Sequence, residues 1–366
     1  MYKSINRVLL LLLFGISSFL QASENQGYYS YPSINKNQIV FSSDGSLWKV
    51  AIDGGEAVRL TAGADNPTFS AISPDGKYIA YSSEDVGKDI YLIPIEGGKP
   101  KKLTSGEVSA DVIGWTPSGE LIYSSLYHSN YPKKGLVLLN VDTLEKERIP
   151  LSLASQGSYD KQGHNFYFTR NNFQGSHTKR YEGGTAQKIW KYTSGEKEAV
   201  PFVTEHKGTS KNAMWFQNRV YFISDLDGIM NLWSLTEKGS DLVQHTFHKS
   251  YDISYASLSE GKIAYQLGPD LYIYDVRKEN SKKLAITIVS DFKESQERWL
   301  DSEELLDFNF TTSISPTGDE VAITARGEIF TLPVNEGRAV QVTKDSNVRW
   351  RFANYFPNGK LIAASD

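Results

Sequence analysis

Ser73-Pro74-Asp75-Gly76-Lys77-Tyr78-Ile79-Ala80-Tyr81-Ser82-Ser83, followed by Asp89-Ile90-Tyr91-Leu92-Ile93-Pro94-Ile95-Glu96-Gly97-Gly98 and Lys102-Leu103-Thr104, is the stretch that decides the fold. It reads as a turn, a strand, a second turn, a strand, a Gly-Gly hairpin and a last short strand. Asp-Gly and Gly-Gly supply the positive φ that tight hairpins require. β-branched and aromatic residues fill the segments between them. Working outward, the central strand recurs at Val40-Phe41, Ala80-Tyr81, Ile122-Tyr123, Tyr167-Phe168, Tyr221-Phe222, Ala264-Tyr265, Ala322-Ile323 and Ile362-Ala363. The closing Leu-Thr, or a relative of it, recurs at Leu60-Thr61, Leu103-Thr104, Val203-Thr204, His245-Thr246 and Val342-Thr343. A four-stranded unit repeating every ~40–45 residues has the size of a β-propeller blade. The fold class read from the sequence is therefore all-β, a propeller of four-stranded blades.

Two steps between units are long. One holds the insertion Asn171 to Lys188, the other the acidic stretch Ile286 to Asn309. Six units precede the acidic stretch and two follow it. The expected organisation is a signal peptide over 1–22, a six-bladed propeller over 28–288, an acidic linker over 289–310 and the truncated start of a second propeller over 311–366. The competing arrangement is one eight-bladed ring whose last blade is completed by N-terminal strands. Against it, the first unit already reaches its own outer strand at Val58-Arg59-Leu60-Thr61. Ending a unit at Leu361-Ile362-Ala363-Ala364-Ser365 leaves an apolar edge to be paired, so the chain reads as a fragment or a shortened product.

The N-terminus is an address. Lys3 and Arg7 precede the apolar run Val8 to Leu20, and Leu20-Gln21-Ala22 offers a cleavage site. The run is shorter than the ~18–20 residues of a membrane span, so a periplasmic or secreted protein without a membrane span is expected. The formal charge of −4 gives no basic surplus for nucleic acid. The absence of cysteine removes disulfides, thiolate metal sites and a cysteine nucleophile.

Three stretches carry a more specific resemblance. They are Lys179-Arg180-Tyr181-Glu182-Gly183-Gly184-Thr185 with Lys188-Ile189-Trp190, then Val220-Tyr221-Phe222-Ile223-Ser224-Asp225-Leu226-Asp227-Gly228 with His245-Thr246, then Ser315-Pro316-Thr317-Gly318 with Ala325-Arg326-Gly327-Glu328-Ile329-Phe330-Thr331. The Pro-Asp-Gly-x-x-Ile-Ala-Tyr unit resembles the WD40-like PD40 repeat of TolB, the prolyl oligopeptidase group and the tricorn proteases. The three stretches together resemble the N-terminal propeller region of the tricorn proteases, over roughly Tyr28 to Asp366. That resemblance implies a six-bladed propeller, a second propeller, a PDZ domain and a C-terminal serine-protease region, assembled into hexamers. It also implies that the propellers filter peptides or unfolded polypeptide for an enclosed catalytic site. This chain would then hold no catalytic residue, its PDZ and protease domains lying outside it. A non-catalytic, TolB-like periplasmic protein-binding propeller is the alternative.

A search for chemistry agrees. There is no Gly-x-Ser-x-Gly elbow, His-Glu-x-x-His pair or Walker loop. No cofactor or metal is expected. His245 and His248 read as a blade-closing residue and a loop residue, since tetrahedral zinc needs further ligands. Asp225-Leu226-Asp227-Gly228 reads as a hairpin turn, because the later carboxylates of a calcium loop are missing. Trp48, Trp190 and Trp233 take matching places after their strands and read as wedges between blades. Trp115, Trp215, Trp299 and Trp350 fall outside that alignment and carry no ligand assignment. The candidate substrate contacts are Lys179, Arg180 and Tyr181, in the insertion that also holds His177. Their cationic groups suit a peptide carboxylate, while charge runs in loops usually face water. Lys133 and Lys134 form a second basic loop with the same two readings.

Overall fold

Strand after strand, a steep gradient of burial runs outward from the middle of each sheet. The computed structural model describes residues 28–61, 66–83, 88–127, 133–172, 181–204, 206–290, 309–344 and 348–365. The proposed signal peptide and most of the acidic stretch lie outside them. The chain divides into two compact units, Met1–Asp291 and Phe292–Asp366.

The first unit contains six four-stranded antiparallel sheets in chain order. Their second strands are Gln38–Ser43, Tyr78–Ser83, Leu121–Ser125, Asn165–Thr169, Arg219–Ser224 and Lys262–Leu267. These carry the aromatic and aliphatic pairs that mark the repeat, and Phe41, Tyr81, Tyr123, Tyr167, Phe222 and Tyr265 are all fully buried. The short fourth strands, such as Val58–Arg59 and Lys101–Lys102, are exposed. One apolar cluster joins each sheet to the next. Val40 and Leu47 of the first meet Ile79 and Tyr81 of the second, and Tyr221 and Ile223 of the fifth meet Ile263 and Tyr265 of the sixth. Each such side chain removed from water contributes about 1.5–3 kcal/mol.

The turns follow from their residues. Gly76 takes φ 79°. Ser73 Oγ donates to Asp75 Oδ1 at 2.6 Å and accepts from Tyr78 N–H at 3.0 Å. Ser315, Gly318 and Asp319 rebuild the same turn in the second unit. The closing threonines also have a common job. Thr61, Thr104, Thr246 and Thr343 accept the N–H of Leu47, Ile90, Leu232 and Ile329 at 2.8–3.0 Å, pinning the fourth strand to the third.

The first strands are Ser30–Asn35, Pro67–Ile72, Asp111–Trp115, Gln156–Tyr159, Ser210–Phe216 and Ile253–Ser259. Each pairs with its own sheet on one side only, so the N–H groups on its other side need partners. Side chains of the neighbouring sheet supply them. Ser33 Oγ accepts from Ile72, Ser82 Oγ from Val112, Asn212 Oδ1 from Ala256 and Ser257 Oγ from Ile34. The last of these joins the sixth sheet to the first and closes the ring. A strap adds to the closure: Ile286–Thr287 pairs in parallel with Gly55–Glu56, beside the outer edge of the first sheet. All four strands of the first sheet come from residues 30–59.

The second unit has a four-stranded sheet starting at Asn309–Ile314 and a two-stranded sheet of Trp350–Tyr355 and Leu361–Ser365. The same stitching recurs there, Ser313 Oγ accepting from Tyr355 N–H at 3.0 Å. There is no helix among the described residues.

Candidate functional site: the axial cavity

Because the six first strands of the first unit face one another, they enclose a cavity of about 450 Å³ to which every sheet contributes. Its two ends differ. Where the first strands finish, the lining includes Lys36, Pro74 and Glu260, all exposed, so this end is the mouth. Trp115, Tyr159 and Trp215 stand there on three consecutive sheets. The Trp115 indole N–H donates to Ala71 O at 3.1 Å, and that of Trp215 donates to Glu237. With both N–H groups engaged, the two rings offer carbon surface to the cavity. Tyr159 packs on Phe166 with centroids 4.6 Å apart, and burial pushes its phenol up to about 12.

The other end is a throat. Five of the six first strands carry a β-bulge near their start, and the fourth sheet has none. In its place the fourth sheet has Gly157, where a Cβ would sit 2.5 Å from Tyr167 O. At the bulges Tyr31, Phe69 and Asn212 adopt φ of 52°, 46° and 55°. Such left-handed backbone costs a non-glycine residue about 1–3 kcal/mol and persists only where the surroundings impose it. Here it aims rings toward the axis. Tyr31 lies 4.5 Å from Phe69 and 5.8 Å from Tyr255, and Phe69 lies 6.1 Å from Tyr255. Phe69 belongs to the second sheet and Tyr255 to the sixth, which are not neighbours in the ring. Burial drives the Tyr255 phenol well above its usual range, and Asp111, on the third sheet diametrically opposite, adds to the effect. With Tyr31 and Phe69, the Tyr255 ring therefore narrows the throat.

Two lysines sit near this level. Lys134, read from sequence as part of a basic loop, is 4 % exposed and paired with Asp111, which is also 3.8 Å from Lys88. The solvent-facing reading is thus corrected for Lys134: its ammonium neutralises a wall carboxylate. Burial lowers its pKa and Asp111 opposes that shift. Lys211 has no ion pair among the described residues, and burial lowers its pKa with only the field of Asp252 opposing.

Of the sequence-proposed contacts, Lys179 and Arg180 lie outside the described residues, as does His177. Tyr181 is half-buried, and its hydroxyl accepts from Thr185 within the same loop at 3.1 Å. The loop joins the second and third strands of the fourth sheet, Asn165–Thr169 and Ile189–Thr193, at the throat end of the ring. His245 is held between Ser234 Oγ and Tyr274 OH, and His248 bonds Tyr265 OH. No cluster of three metal-ligating side chains occurs among the described residues. Gly228 takes φ 102° and its N–H bonds Asp225 O, so that segment is the expected turn. Trp48 is buried, Trp190 is half-buried beneath the Arg170 guanidinium at 3.3 Å, and Trp233 packs in the cluster between the fourth and fifth sheets.

Comparison with known proteins places this architecture. Residues 26–280 match the family model described as the tricorn protease N-terminal beta propeller domain. A tricorn protease homolog of Saccharolobus solfataricus is 29 % identical over 348 residues, which are 93 % of this chain and 32 % of the homolog. A putative tricorn-like protease N-terminal subunit of Sulfurisphaera tokodaii is 30 % identical over 132 residues, covering 34 % of this chain and 67 % of that subunit. The crystal structure of the tricorn protease superposes with a TM-score of 0.62 at 22 % identity, over 89 % of this chain and 32 % of that one. The chain spans about a third of the length of the first curated relatives it matches.

Proposed function

The chain belongs to the family of tricorn protease N-terminal β-propellers, and from that premise we propose that it is the substrate-gating portion of an exported tricorn-like serine protease. The observation that carries the reading is the axial cavity, walled by six sheets and narrowed at its throat by the Tyr31, Phe69 and Tyr255 rings. Such a passage excludes folded proteins by size and admits an extended peptide only when the throat rings move. The nucleophile and oxyanion donors would lie in a region outside these 366 residues. That region would be continuous with this chain or a separate subunit, as the name of the Sulfurisphaera relative suggests for that protein. Domains 28–288 and 311–366 would be the first propeller and the start of a second. Lys179 and Arg180, beside Tyr181, would receive a peptide carboxylate at the throat face, within an oligomer such as a hexamer. Lys3, Arg7 and the apolar run after them support export to the periplasm or beyond.

The test is to capture the native protein from a periplasmic extract with an antibody against residues 28–285. The reading predicts an assembly much heavier than 41.0 kDa that cleaves short peptides and spares a folded protein. It also predicts that Arg180→Ala slows cleavage of short or acidic peptides more than of long neutral ones. A lone chain slightly below 41.0 kDa without peptidase activity overturns it in favour of a TolB-like binding propeller.

A further inference from the structure

The cavity's mouth and wall have a chemistry of their own. Trp115, Tyr159 and Trp215 form an apolar arc over the third, fourth and fifth sheets. Across from them, on the first and sixth sheets, stand Lys36 and Glu260, exposed, of opposite charge and outside every ion pair among the described residues. Between mouth and throat, three lining residues hold buried polar atoms without hydrogen-bond partners among the described residues: Ser70 Oγ, Gln156 Oε1 and Ser158 Oγ. Ser70 is only 3 % exposed. An unsatisfied buried polar atom costs about 1–3 kcal/mol, and a serine or glutamine side chain turns toward a new partner by rotating between staggered wells. The volume falls within the ~300–1,000 Å³ of small-molecule sites.

We propose that this cavity, narrowed behind by the Tyr31, Phe69 and Tyr255 rings, is a binding pocket for a di- or tripeptide with free termini and an aromatic or large aliphatic side chain. The inference deepens the gating reading and rests on it for the arrival of peptides. The side chain packs on the carbon faces of Trp115, Tyr159 and Trp215. The terminal carboxylate pairs with Lys36 and the terminal ammonium with Glu260. Peptide N–H and C=O groups engage Ser70, Gln156 and Ser158. An oligosaccharide would use the aromatic faces and leave both rim charges idle.

Calorimetric titration of the chain itself tests this, with no dependence on proteolysis. The probes are Ala-Phe-Ala, Ala-Asp-Ala, Ala-Phe-Ala blocked at both ends, and cellotriose. Saturable one-to-one binding of free Ala-Phe-Ala is expected, at least tenfold tighter than the other three. Trp215→Ala should weaken it about tenfold. Lys36→Met, at an exposed turn that leaves the packing intact, should abolish the preference for a free carboxylate, and added salt should do the same in the unaltered protein. Failure to bind any tripeptide, equal binding of Ala-Asp-Ala, tighter binding of cellotriose, or an unchanged preference in Lys36→Met each overturns the proposal. The gating reading would survive those results, since it stands on capture of the native assembly.

Discussion

Ile79-Ala80-Tyr81 and Leu361-Ile362-Ala363 occupy the same place in the repeat, yet all three of the first set are fully buried while Ile362 is 51 % exposed. The strand sequence is comparable, and the backbone pairing to the preceding strand is formed in both. The difference is in what surrounds the strand. The second sheet of the first unit is sandwiched between two others, with Val40 and Leu47 on one side and Val112 and Tyr123 on the other. Repeat proteins draw their stability from such nearest-neighbour interfaces as much as from the unit itself. The largest predicted effect follows. Ile79→Ala should cost about 2–5 kcal/mol, as expected for a fully enclosed aliphatic side chain. In the 366-residue chain, Ile362→Ala should stay within about 0.5 kcal/mol, as expected at an exposed site. Urea unfolding of both variants measures the contrast, and equal losses would break the argument that neighbours set the value of a strand.

A sharper version concerns how the first unit closes. Gly54 has φ +90°, and a Cβ there would lie 2.5 Å from Ala285 O, the oxygen that accepts Gly55 N–H at 2.8 Å. Glycine is required twice over, by conformation and by space. Gly54→Ala should cost about 1–3 kcal/mol by pushing away the strap at Ile286–Thr287. Hydrogen exchange should quicken at Gly55 and Ala57, whose N–H groups bond to the strap. The amides of the second sheet should keep their protection. If protection falls evenly round the ring instead, the strap is part of one cooperative unit and not a local clasp.

How much of this was legible in the sequence depends on which strand is asked about. The second strands and their turns were readable because alternation, Asp-Gly and Gly-Gly are local signals, and Phe41, Tyr81 and Gly76 do what those signals say. The cavity was not readable. Its walls are first strands whose bulges break the two-residue period, so Tyr31, Phe69 and Tyr255 gave no sign that they meet across an axis. Trp115 and Trp215 fall outside the tryptophan alignment because they stand at the ends of first strands, whereas Trp48, Trp190 and Trp233 lie within third strands. Both stand within two residues of a turn back into the second strand, at Thr116-Pro117-Ser118-Gly119 and Gln217-Asn218, and that is the signal the sequence carries. Lys134 looked like a solvent-facing charge because its partner, Asp111, lies 23 residues earlier.

A last contrast separates the two units by pH. All six histidines precede residue 249, so the second unit has none. His245 sits in the seam between the fifth and sixth sheets, between Ser234 and Tyr274, and burial followed by the Arg219 charge lowers its pKa from 6.5 to about 4. The unfolded chain therefore binds this proton more readily than the folded one. Stability from His245 is fully present above about pH 6.5 and declines as pH falls toward 4. Asp319 of the second unit is lowered as well, by hydrogen bonds from Thr317 and Ser315. Its contribution is present above the ordinary carboxylate pKa and is lost only as pH falls below it. Thermal melts between pH 7 and 4.5 should thus destabilise the first unit while leaving the second nearly level. His245→Gln should flatten part of the first unit's decline, since glutamine keeps a hydrogen-bonding group and takes up no proton. An unchanged slope would mean that the seam opens before His245 titrates, and the burial of that imidazole would no longer account for the difference between the units.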